Sequence, residues 1–175
     1  LADIDDVFVP QGCKGVDRMF QSCLIKTLPA GFRLSDSVVD ASGMFETCVQ
    51  LESLPDGFTF SHLTGSKEYD HLFNGCIELK ALPEGFGFPG STTNLFNAFN
   101  NCRSLSSLPS GFKVPDGTTQ VTNMFYNCPS LRILPASFDF PKTATGANSS
   151  LFMGLPESDE PTATYYAGTS QTVKD

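Results

Sequence analysis

Five segments of this chain repeat one pattern: F-x-x-C followed by L-P-x-G-F. They are MFQSCLIKTLPAGF from Met19, MFETCVQLESLPDGF from Met44, LFNGCIELKALPEGF from Leu72, AFNNCRSLSSLPSGF from Ala98, and MFYNCPSLRILPASF from Met124, where Ser137 replaces the glycine. Cys23, Cys48, Cys76, Cys102 and Cys128 lie 25, 28, 26 and 26 residues apart; Phe32, Phe58, Phe86, Phe112 and Phe138 lie 26, 28, 26 and 26 apart. Two independent markers keep one period, which is the mark of a stacked-repeat architecture. A single unit cannot bury its own Phe, Cys and Leu, but stacked units can.

The edges fit the same register. Val9-Pro10-Gln11-Gly12 with Val16, Met19 and Phe20 matches Val114-Pro115-Asp116-Gly117 with Val121, Met124 and Phe125, so the chain opens inside a coil. Leu151-Phe152 starts a sixth unit in which Leu155 replaces the cysteine. The expected organisation is a solenoid over 1–155, with a partial coil 1–18, five coils 19–150 and a degenerate sixth start 151–155. A cap or linker follows over 156–175. Leu1 is not an initiator methionine, and the expectation is that a leading segment has been removed.

Within a unit the apolar positions fall three apart, as in Phe99, Cys102, Leu105 and Leu108, which is neither strict alternation nor a long amphipathic helix. Phe and Cys at i and i+3 share a helical face, so a helical turn is expected over M-F-x-x-C. The proline after Leu demands extended backbone before it. The alternating Phe58/Phe60 and Phe86/Phe88 suggest a strand there with one buried face. The fold class expected is α/β: a right-handed solenoid with one short parallel strand and one helical turn per coil of about 26 residues. The glycines Gly31, Gly57, Gly85 and Gly111 are expected in turns that tolerate positive φ, which would strain Ser137.

Composition narrows the functions. The chain has 16 Phe, 4 Tyr and no Trp, as expected of a core built by repetition. Its formal net charge of −8 repels phosphate backbones and anionic headgroups, which argues against nucleic-acid and lipid-surface partners. No window of 18 consecutive apolar residues exists, so this segment is not expected to insert in a membrane.

The period near 26 lies in the range of leucine-rich repeats. The M-F-x-x-C-x-x-L-x-x-L-P-x-G-F unit resembles the repeats of BspA-like leucine-rich-repeat bacterial surface proteins over Val7 to Phe152. That resemblance implies a secreted or surface-displayed, non-enzymatic module that adheres to host proteins or other cells. It brings no catalytic residues.

The cysteines invite chemistry. One per coil at one place makes a column, Cys23, Cys48, Cys76, Cys102 and Cys128, whose members point the same way. Disulfides need opposed Cβ vectors, so small buried thiols that donate weakly to a neighbouring carbonyl are the expected reading. Zinc is not expected, because there is no C-x-x-C and the histidines are only His62 and His71. Those two are read as an exposed pair in the longest loop. Cys13, beside Lys14, is read as an exposed loop thiol. Asp3-Ile4-Asp5-Asp6 and the acidic Pro156–Pro161 stretch are read as solvated, and Asn148-Ser149-Ser150 as an incidental sequon. No cofactor or metal is expected.

The variable residues before L-P face outward. Lys26, Thr27, Glu52, Ser53, Lys80, Ser106, Ser107 and Arg132 would line one face of the stack, the candidate interaction surface. The functional expectation is a monomeric, extracellular or cell-surface module that binds a protein partner without catalysis. A structural spacer or a phage or particle scaffold is the alternative, and a thiol-dependent hydrolase a third.

Overall fold

The structure, a computed structural model, describes residues 12–132, 134–136 and 138–145. The N-terminal acidic cluster, Ile133, Ser137, the sequon, the sixth unit and the acidic tail lie outside the described residues.

Parallel single-residue bridges run in one column from Gly15 to Asp40, Glu68, Asn94, Gln120 and Thr145. They divide the described chain into five stacked coils: 15–39, 40–67, 68–93, 94–119 and 120–144. Successive M-F-x-x-C phenylalanines lie face to face. Phe20, Phe45, Phe73, Phe99 and Phe125 are 5.3–5.5 Å apart between centroids, with planes within 17°. Leu51, Leu79, Leu105 and Leu131 are buried beside them. A second set of rings comes from L-P-x-G-F: Phe86, Phe112 and Phe138 stack at 6.1–6.4 Å. The 28-residue coil adds Phe60, which packs edge-on against Phe58, Phe86 and Tyr69.

The expected α/β class is corrected. Among the described residues there is no helix, and strand pairing is confined to isolated bridges. The M-F-x-x-C segment is a chain of turns with two alternating kinds of hydrogen bond. In the second coil the N–H groups of Ala41, Gly43, Phe45 and Thr47 donate to Glu68, Asp70, Leu72 and Asn74 of the next coil, at 2.7–3.2 Å. Met44 and Glu46 between them, and Cys48 after them, donate three residues back within their own coil, at 2.9–3.2 Å. The backbone turns left-handed at two positions per coil, five and one before the cysteine. These are Arg18 and Ser22, Gly43 and Thr47, His71 and Gly75, Asn97 and Asn101, and Asn123 and Asn127, with φ between 52° and 77°. A left-handed residue every fourth position is incompatible with an α-helix. It is the third-position signature of type II turns. The i, i+3 spacing of Phe and Cys fits both arrangements.

The expected strand also sits elsewhere. Its alternation holds, since Phe58, Phe60, Phe86 and Phe88 are buried and Thr59 and Gly87 are half-buried. Yet the continuous bridge column passes through Asp40, Glu68, Asn94 and Gln120. At P-x-G-F every phenylalanine N–H bonds to the proline carbonyl at 2.8–3.1 Å. Positive φ occurs there at Gly57 and Gly85 but not at Gly111.

Candidate functional site

The residues before L-P form a bonded row. The Glu52 N–H donates to the Lys26 carbonyl at 2.8 Å, Lys80 to Glu52 at 3.1 Å, Ser106 to Lys80 at 3.1 Å and Arg132 to Ser106 at 3.3 Å. Ala81 and Ser107 bridge in parallel beside it. Lys26, Thr27, Ser53, Lys80, Ser106 and Arg132 are exposed; Glu52 and Ser107 are half-buried. Lys80 Nζ donates to Glu52 Oε2 at 2.7 Å. That contact lowers the Glu52 pKa and raises that of Lys80, each chiefly through the hydrogen bond. Both side chains are open to solvent, so the pair adds little stability.

Next to this row, the residue after the cysteine in the first three coils adds apolar surface that the sequence reading missed. Leu24 is 68% exposed and Val49 37% exposed, and Ile77 is half-buried. The signal available was an aliphatic side chain directly after the cysteine in three consecutive units.

The cysteines face the other way. All six thiols are free. Cys48, Cys76, Cys102 and Cys128 are buried, and their Sγ–H groups donate to the carbonyls of Phe20, Phe45, Phe73 and Phe99 in the preceding coil, at 2.9–3.2 Å. Each of those carbonyls also accepts the cysteine N–H of its own coil, at 3.0–3.2 Å. The thiol thus takes the second lone pair of a buried carbonyl, which a leucine could not do. Burial pushes the Cys48 pKa up to about 11 and that of Cys128 up to about 12, and raises Cys76 and Cys102 well above the usual thiol range. A nucleophilic cysteine needs the opposite shift.

Cys13 is half-buried against the core, not fully exposed, and its thiol donates to the Gly15 carbonyl at 3.1 Å. The histidines do not form a loop pair. His62 is exposed on the insert, with Nε2 3.1 Å from the Leu34 carbonyl and 3.9 Å from the Asp36 carboxylate. His71 sits at a left-handed turn position, half-buried. Its Nδ1 meets Asp70 Oδ2 at 3.1 Å and its Nε2 meets the Asn97 amide nitrogen at 3.0 Å. The amide can only donate, so Nε2 accepts and the ring proton is on Nδ1. This looks like a base oriented by a carboxylate, but the nitrogen that would take a proton is capped by an amide donor. Among the described residues no three His, Cys, Asp or Glu side chains gather as a metal set.

The asparagines were not singled out from the sequence. Asn127 Nδ2 donates to Asn101 Oδ1, Asn101 to Asn100 at 2.6 Å, and Asn100 to Asn97 at 3.0 Å, extending the His71 contact across three coils. The sequence signal was Asn or Gly, the residues most tolerant of left-handed backbone, placed four apart.

No protein-family model and no curated protein sequence matches the chain. A solved structure similar to it is a leucine-rich-repeat protein from T. pallidum, at 18% identity and a TM-score of 0.43, covering 87% of this chain and 78% of that one.

Proposed function

We propose that this chain is a non-catalytic repeat module that binds a protein partner through the row from Lys26 to Arg132 and its neighbours. The observation that carries this is the exposed row itself. Apolar and charged side chains on consecutive coils stand on backbone tied coil to coil by hydrogen bonds of 2.8–3.3 Å, so they are held in place before any partner arrives. Preorganisation of this kind removes part of the ordering cost of association. The buried, carbonyl-bonded thiols and the capped His71 argue against a hydrolase. The repeat's resemblance to BspA-like surface proteins supports a secreted or surface-displayed setting and an adhesive role.

Peptide-display selection against the chain tests this. Selected binders are expected to lose at least tenfold in affinity for Ser53→Arg/Ser107→Arg and to keep it for Thr119→Arg, which lies beside the bridge column. Binders that sort the other way would move the interface off this face. Failure to obtain any binder would favour a spacer.

A further inference from the structure

We infer that the partner suited to this face is an acidic, extended polypeptide segment, an inference that rests on the interaction reading above. The five stretches between cysteine and L-P hold four cations, Lys26, Lys80, Arg103 and Arg132, against two acids, Glu52 and Glu78. That is a net +2 on a chain of −8, which leaves −10 for everything else. The charge is segregated, and this face carries the minority sign. Lys80 is bonded to Glu52, and the charge of Lys26 also acts on that carboxylate; Lys26 and Arg103 are the pair of cations whose reversal tests the recognition. At physiological salt the screening length is about 8 Å. A segment lying on the face therefore responds to these side chains more than to the distant net charge.

The spacing selects an extended shape. Along the stack Lys26 and Arg103 are three coils apart, about 14 Å at about 4.8 Å per coil, and Arg103 lies to one side of the row, three residues before Ser106, the residue in register with Lys26. In an extended strand, residues i and i+4 face the same way and lie about 13 Å apart at about 3.3 Å per residue. Carboxylates near that spacing can reach both long cationic side chains while apolar residues of the segment lie over Leu24 and Val49, which hold the place after the cysteine that Arg103 holds in its own coil. A helix, rising about 1.5 Å per residue, would bring i and i+4 only about 6 Å apart.

The test uses fluorescence anisotropy with the full chain and three labelled 12-residue synthetic peptides. One carries Glu at every fourth position among Leu and Ser; the others carry Gln or Lys there. The Glu peptide is expected to bind, with affinity falling at least tenfold from 50 to 300 mM salt and in Lys26→Glu/Arg103→Glu. The Gln peptide should bind at least tenfold more weakly. If the Gln or Lys peptide binds as well as the Glu peptide, and Leu24→Ser/Val49→Ser abolishes it, the face binds protein but the acidic partner is wrong. Unchanged binding of the Glu peptide to the charge-reversed variant overturns the inference, as does no binding by any peptide; display binders that still map to the face would then leave the broader reading standing. Tighter binding of a 20-mer DNA duplex would overturn it too. So would a salt-sensitive doubling of mass in sedimentation velocity, which would make the occupant a second copy.

Discussion

The first and fourth coils place different side chains on the same backbone path. In the fourth, Asn97 and Asn101 occupy the two left-handed positions, Phe99 and Cys102 are fully buried, and Ala98 completes the core. In the first, Arg18 and Ser22 take those positions, Phe20 and Cys23 are half-buried, and Met19 is 45% exposed. The fourth coil lies between the third and fifth, so Phe99 has a ring on each face at 5.3–5.4 Å. The M-F-x-x-C path therefore does not depend on ideal residues. Inter-coil hydrogen bonds impose it, and side chains suited to left-handed backbone make it cheaper where they occur.

The largest test uses pH. Burial raises the folded pKa of four thiols, and an unfolded thiol titrates near about 8.5. Above that pH the unfolded chain releases protons that the folded chain keeps. Stability should therefore be complete below about pH 8.5 and fall as pH rises toward 11–12, by up to about 1.4 kcal/mol per thiol per pH unit. In urea titrations from pH 8 to 10.5, Cys102→Ala should flatten this decline. An unchanged decline would show that the buried thiol of the fourth coil does not carry it.

Truncating the stacked rings comes next. Phe99→Ala should cost about 3–5 kcal/mol in urea unfolding, and Phe20→Ala clearly less. A loss below about 1 kcal/mol for Phe99→Ala would mean that the ring column contributes little. Asn97→Ala removes amide contacts to His71 and Asn100 and puts a Cβ-bearing residue without local hydrogen bonds in left-handed backbone, for about 2 kcal/mol. Thr47, β-branched with φ 55°, is the converse case. Thr47→Asn should raise stability by about 0.5–1 kcal/mol, because asparagine tolerates that conformation better. A loss would show that the 2.8 Å contact between Ser22 Oγ and Thr47 Oγ1 outweighs the strain.

Much of the interior was legible. The register of Phe, Cys and Leu determined which side chains stack, because a fixed period leaves each marker one place in every coil. The outward position of Lys26, Lys80 and Ser106 followed from the same register. The Asn/Gly spacing could have been read as well. What the sequence could not decide was the path of the backbone between those markers. Phe and Cys three apart suit a helix or a run of turns, and the choice depends on where the N–H groups find partners. Alone, the segment would satisfy them within itself. With a neighbouring coil alongside, every second N–H reaches across to it, two residues per coil turn left-handed, and the helix is lost. A buried thiol donating to a carbonyl was already expected from the register; the tertiary structure decided which carbonyl: the thiol takes the remaining lone pair of a phenylalanine carbonyl in the preceding coil, a partner that exists only once the coils are stacked.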